Sequence, residues 1–188
     1  MELIHYGQVD GAWTLSDTHL KKMWEIMVLE GNDKRLFYGN SVRTAEEFIR
    51  WFKMPMNIVN FQFEGNEPVS VAWMNDIQKN NALIHFCIFK KFWGKDTVKI
   101  GRNVLDYWFS LEKDGKPVLD VLRGITPESH RMALSYIKKL GFNCIGTIPK
   151  MINGTIGAVF SYQTREQYHG CGISSSRSRN SRSIIRSV

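Results

Sequence analysis

Residues 90–101, KKFWGKDTVKIG, join two stretches of different period: the apolar run ALIHFCIF at 82–89, and VKIGRNVLDYWF at 98–109, whose apolar residues recur at helical spacing. A strand that ends in a basic, glycine-containing turn and opens directly into a helix gathers several main-chain N–H groups at one point. Gly94 would let an anion approach closely, and the N-terminus of the following helix favours negative charge. The other reading is a basic loop that only closes a buried strand. The elements around the turn decide between them.

Upstream, MELIHYG and GAWTL read as short strand pieces about a turn. In SDTHLKKMWEIMVLEGND, Leu20, Met23, Trp24, Met27 and Val28 fall at i, i+3, i+4, i+7 and i+8 behind Ser16, which predicts a capped amphipathic helix. Thr44 with Glu47 three residues on is a capping box, so a second helix begins there and Pro55 ends it. NIVNFQFEGNEPVSVAWMND predicts a hairpin about Gly65-Asn66, and Asn80-Asn81 marks the break before the strand at 82–89. Downstream, a helix from about Asp96 to Leu111 ends at EKDGKP, and PVLDVLRGI is a further strand. Thr126-Pro127 is expected to cap and start a helix through Leu140 that Gly141 closes. Two last strands flank Asn153-Gly154, a strong hairpin signal.

At 188 residues and 43% hydrophobic composition the chain can bury one sizeable core, and one α/β domain with a mixed sheet is expected. Its apolar runs are shorter than a membrane span, and MELIHYGQVDG lacks the basic start and apolar middle of a secretory signal, so we expect a soluble, cytoplasmic protein with no membrane partner. Cys87, Cys144 and Cys171 are widely spaced and form no CxxC pair, which argues for reduced thiols and against a structural metal site.

The order strand, two helices, three strands, helix, strand, helix, two strands, together with two local motifs, resembles the GCN5-related N-acetyltransferase (GNAT) superfamily over residues 1–165. The first motif is the opening stretch. Lys91-Phe92-Trp93-Gly94-Lys95-Asp96 is similar to the family's Gln/Arg-x-x-Gly-x-Gly/Ala turn, with Lys91 in the place of Gln or Arg and FWGK in the style of ribosomal-protein and antibiotic acetyltransferases. The second is ITPESHRMALSYIKKLGFNCIGTIP, where Leu140-Gly141-Phe142 and Gly146 match the family signature. The resemblance implies a mostly antiparallel sheet of about seven strands with about four helices and a splay between the fourth and fifth strands. It implies acetyl-CoA as cofactor, held by Ile88 and Phe89 at the end of the splayed strand, by Lys91, Trp93, Gly94, Lys95, Asp96 and Thr97 at the turn, and by His130 before the later helix. Asp96 departs from the pattern, setting a carboxylate beside the expected pyrophosphate unless Lys91, Lys95 or Lys99 screens it; its other role is a helix N-cap.

Acetyl transfer from a thioester to a primary amine of a protein or small molecule needs a neutral amine, an outlet for its proton and a donor for the oxyanion. The resemblance assigns the oxyanion to a main-chain N–H at Ile88 or Phe89. His85 on the same strand is the candidate base, its alternative being a hydrogen-bonded core histidine. Cys87 shares its face by period-two alternation, which raises a Cys–His nucleophile against a plain core thiol. Ile137 stands where many members carry the tyrosine that protonates the departing thiolate, and Tyr136, one residue and about 100° away, is either that acid or an amphipathic core-edge residue.

Residues 169–188 lie beyond the domain expected at 1–168. The tail CGISSSRSRNSRSIIRSV carries Arg177, Arg179, Arg182 and Arg186 with no acid, so it holds +4 of the formal +7 and leaves the body mildly basic. Such composition predicts a flexible segment, either an arm for nucleic acid or an acidic partner or simply a solvated tail. A second class of function therefore stands beside the enzyme: a binding or structural module on the same fold, of viral or other assembly origin, whose tail makes the contacts.

Overall fold

The computed structural model describes residues 1–39, 41–94 and 96–170. The Arg-rich tail and Lys95 lie outside the described residues. One sheet of seven strands organises the chain: β1 (Glu2–Tyr6), β2 (Ile58–Glu64), β3 (Glu67–Gln78), β4 (Asn81–Ile88), β5 (Val121–Pro127), β6 (Asn143–Ile152) and β7 (Ile156–Thr164), in the spatial order β1-β2-β3-β4-β5-β7-β6. All neighbours run antiparallel except β4 and β5. That parallel pair is joined only through Asn81–Leu83 against Val121–Arg123, after which the strands part. This is the splay that the resemblance implies.

Helices cover both faces. On one, α1 (Asp17–Glu30), the short α2 (Asn32–Leu36) and α3 (Ala45–Phe52) pack against odd-numbered residues of β4, in a core that joins Leu20, Met27, Phe48, Phe61, Trp73 and Cys87. On the other, α4 (Thr97–Phe109) and α5 (Arg131–Lys139) cover Ala82, Ile84 and Phe86, with Leu105, Trp108 and Leu140 between. The two periods dictate this division, because alternate strand residues point to opposite faces while a helix presents one stripe. On α1 the predicted stripe holds for Leu20, Met23, Trp24 and Met27; Val28 turns to solvent.

The caps read from sequence form. The Ser16 hydroxyl accepts the His19 N–H, Gly31 ends α1 at φ 69°, and the Thr44 hydroxyl accepts the Glu47 N–H. Glu47 in turn reaches back to the N–H of Arg43, one residue beyond the usual partner of a capping box. Polar groups pin α4 to the sheet: buried Asn60 accepts the Trp108 indole N–H at 2.8 Å, and the Gln62 amide donates to the Ile100 carbonyl at 2.9 Å.

One boundary differs from expectation. Thr126 and Pro127 do not start a helix; they complete β5, opposite Val159 and Ala158. Proline suits a strand end that needs no donor, and Glu128 N–H still bonds to the Gly157 carbonyl at 2.9 Å, so α5 starts only at Arg131. Helices α2 and α6 (Arg165–Gly170) add to those expected. Among the described residues no helix is long and apolar enough to cross a membrane, and no group of His, Cys, Asp and Glu could hold a metal ion.

Candidate active site

The parting of β4 from β5 leaves main-chain groups without a strand neighbour. Phe89 N–H donates to the Val69 carbonyl at 3.0 Å, so Phe89 and, by antiparallel alternation, Cys87 and His85 turn their main-chain groups toward β3. Phe86 and Ile88 therefore turn theirs toward the opening. The Ile88 carbonyl there accepts the Trp93 indole N–H at 2.7 Å. Of the two residues expected to offer the main chain, Ile88 faces the opening and Phe89 is tied to β3.

A cavity of about 360 Å³ fills the opening between β4, the start of α4 and the inner face of α5, lined among others by Ile88, Trp93, Gly94, Thr97, His130 and Tyr136. A narrower one of about 100 Å³ shares Phe86, His130 and Tyr136 with it and adds His85. The fold thus brings both candidate catalytic residues and most of the candidate cofactor contacts to one place.

The turn that opens this region is a 3₁₀ segment, Lys90–Phe92, followed by Gly94 at φ 113°, a conformation that favours glycine. The Thr97 hydroxyl donates to the Gly94 carbonyl. Asp96 sits at the N-cap position of α4, yet its carboxylate makes no capping bond, so it does not use up the amides of that helix's first turn. It is exposed and does not line the cavity. Lys91 is likewise turned away, its ammonium paired with Glu67 at the start of β3.

The cations that do line the main cavity are Arg35 on α2 and Lys139 on α5. Neither stands out in the sequence reading. For Lys139 a signal was available: Met132, Tyr136 and Lys139 recur at i, i+4 and i+7, one face of α5.

Tyr136 is mostly buried, with its ring edge-on to Phe86 at 6.2 Å, and its hydroxyl finds no hydrogen-bond partner among the described residues. Burial pushes the phenol well above its usual range, so it stays protonated. Ile137, at the motif's tyrosine position, packs against the cluster under α4 and α5. His85 stacks on Trp73, with ring centroids 4.7 Å apart and planes 11° from parallel, and its Nε2 lies 3.2 Å from the Asn75 Oδ1. Because that oxygen can only accept, Nε2 carries the proton and Nδ1 is the basic nitrogen. Burial lowers the imidazole to about 4, which makes it neutral at neutral pH. Cys87 is buried, and burial and the Glu30 charge hold its thiol far above the range in which a thiolate forms. A Cys–His nucleophile has no support in this geometry.

No protein-family model matches the sequence, and no curated protein does. Solved structures match in three dimensions. A spermidine N-acetyltransferase from Vibrio cholerae, in complex with CoA and spermine, superposes with a TM-score of 0.67 at 13% identity, over 89% of this chain and 98% of that one. An aminoglycoside acetyltransferase in complex with coenzyme A and kanamycin gives 0.65 at 14% identity, over 83% and 95%. A probable acetyltransferase gives 0.63 at 15%, over 81% and 91%.

Proposed function

We propose that this chain, which has the fold of the GCN5-related N-acetyltransferases, binds acetyl-CoA between β4 and β5 and passes the acetyl group to a primary amine. The observation that carries this is the parallel pair that parts after Leu83 and Arg123, with a cavity running from the gap to the start of α4. The residues there fit the cofactor: among the described residues no carboxylate lines the cavity and the buried Tyr136 hydroxyl has no hydrogen-bond partner. When bound, acetyl-CoA supplies a thioester carbonyl open to direct attack in a ternary complex.

The chain's own groups then have distinct tasks. Gly94 and the first turn of α4 offer main-chain N–H groups and the positive end of a helix to the pyrophosphate, Thr97 lines the cavity beside them with its N–H and hydroxyl turned to the Gly94 carbonyl, and Lys139 adds a full charge. Phe86 and Ile88 present main-chain groups along the pantetheine arm, and the Ile88 N–H is the donor that faces the developing oxyanion. Trp93 holds the Ile88 carbonyl through its indole and so fixes that end of the strand. His85, neutral but made a weak base by its burial, takes the proton of the amine at Nδ1 only as the nitrogen is acylated and turns acidic, directly or through water, while Asn75 fixes its ring. Tyr136 donates its hydroxyl proton to the departing thiolate. The functional unit is residues 1–168; His130, shared by the cavities, borders both cofactor and acceptor.

Titration of acetyl-CoA into the protein by calorimetry tests this directly. We expect binding in the micromolar range, about −8 kcal/mol, and release of free CoA thiol when an amine is added. Absence of detectable heat at millimolar acetyl-CoA would overturn the enzyme reading.

A further inference from the structure

A third cavity, about 690 Å³, shares Arg35, His130 and Met132 with the first and is lined by α2, the end of β5 and the β6–β7 turn. Its size is that of a small-molecule site. The loop after α2 is tied across it to the turn, because the Asn153 side-chain amide donates to the Tyr38 carbonyl at 2.9 Å. Lys34 and Arg35 line it from one side and Arg131 from the other, and among the described residues no Asp or Glu lines it. The acidic residues next to these cations in sequence are not part of that lining. Glu128 is turned instead to the Gly157 N–H, which it accepts at 2.8 Å.

Arg35 and His130 line all three cavities, so they stand where the cofactor opening meets this one. Burial, with the Arg35 charge, lowers the His130 imidazole, which keeps it neutral at the junction. None of Lys34, Arg35 and Arg131 forms an ion pair with a described residue. Three such cations around a concave site that no carboxylate of the described residues lines set up a positive potential that favours an anion there.

Resting on the acetyl-transfer reading above, we propose that the acceptor is an amine that also bears an anionic oxygen group, a carboxylate or phosphate, held in this third cavity by Arg35, Arg131 and Lys34. The anion anchors one end of the molecule and the amine reaches past His130 toward the opening. A polycationic amine, such as the spermine or kanamycin of the similar structures, would meet like charge here. The chemistry of the lining therefore points away from those acceptors although the fold is shared.

Two matched pairs of probes test this: 4-aminobutyrate against 4-aminobutyramide, and phosphoethanolamine against ethanolamine, with spermidine as the polycation. Each is titrated by calorimetry into the protein saturated with CoA, and each is assayed with acetyl-CoA. We expect the anionic member of at least one pair to bind and react tenfold or more better than its uncharged partner, and to lose that advantage in a Lys34→Gln/Arg131→Gln variant whose affinity for CoA is unchanged. Which pair shows it separates carboxylate from phosphate. Equal use of both members in both pairs, or a preference for spermidine, overturns the proposal. Repeating the titrations without CoA separates the two levels: a protein that binds the anionic probes but no CoA loses the acetyltransferase reading and keeps the anion site.

Discussion

The phenol oxygen of Tyr136 occupies the space beside Gly101: a Cβ built on Gly101 would lie 2.1 Å from it and 2.9 Å from both methyl carbons of Leu140. The absence of a side chain at this buried position of α4 is what lets α5 seat its tyrosine against the opening. Alanine would favour the helix by about 1 kcal/mol, but overpacking costs about 1–3 kcal/mol. Gly101→Ala should therefore be net destabilised by up to about 2 kcal/mol in denaturant unfolding, with acetyl transfer reduced as Tyr136 shifts. Full stability together with undiminished acetyl transfer would mean that the phenol is not held there.

Tyr136→Phe separates chemistry from packing. The hydroxyl is buried without a partner among the described residues, and removing such a group relieves a desolvation cost of about 1 kcal/mol or more. The variant should unfold at the same denaturant concentration as the parent or a higher one. If the phenol protonates the leaving thiolate, kcat should still fall roughly a hundredfold with the KM for acetyl-CoA unchanged. A loss of stability without a loss of kcat would assign the residue to the core alone.

Two lysines make opposite predictions for cofactor affinity. Both are exposed, but Lys139 lines the main cavity whereas Lys91 spends its charge on Glu67. Lys139→Glu should weaken acetyl-CoA binding roughly tenfold or more, since a reversed charge at the cavity wall repels the pyrophosphate it would otherwise attract. Lys91→Glu should leave it nearly unchanged. Calorimetry on both variants checks this, and the reverse ranking would return the pyrophosphate to the position the sequence motif suggests.

That contrast marks where the sequence stops being informative. The element order was legible because strand and helix periods alternate cleanly and because Ser16, Thr44 and Gly31 punctuate them. Helix α2 was not, since the five residues Asn32–Leu36 are too few for a period to show. Thr126-Pro127 misled because proline serves a strand end as well as a helix start. Of the residues that line the cavities, Gly94, Thr97, His85, Tyr136 and His130 are candidates that motif and register name. Arg35 and Lys139 are not, and Lys91 was read as a ligand, because a motif fixes where the backbone runs but not which long side chain turns into a cavity and which finds an acid on the surface.

His85 carries the last prediction, through pH. Burial lowers its imidazole from 6.5 to about 4 in the folded protein. Between these values the unfolded chain binds a proton that the native state does not, so the folded state gains stability as pH rises through this window and loses it as pH falls. The full contribution is present above pH 6.5 and corresponds to on the order of 3 kcal/mol. His85→Phe keeps a ring against Trp73 and removes the titration. Its unfolding free energy should therefore be flatter than the parent's from pH 6.5 to 4, the difference isolating His85 from His5 and His130, which burial also lowers. The same variant should lose acetyl transfer while keeping acetyl-CoA affinity, if Nδ1 takes the amine proton. Parallel stability profiles for parent and variant would show that the imidazole is not shielded as the stacked geometry requires, and retained activity would return His85 to the core.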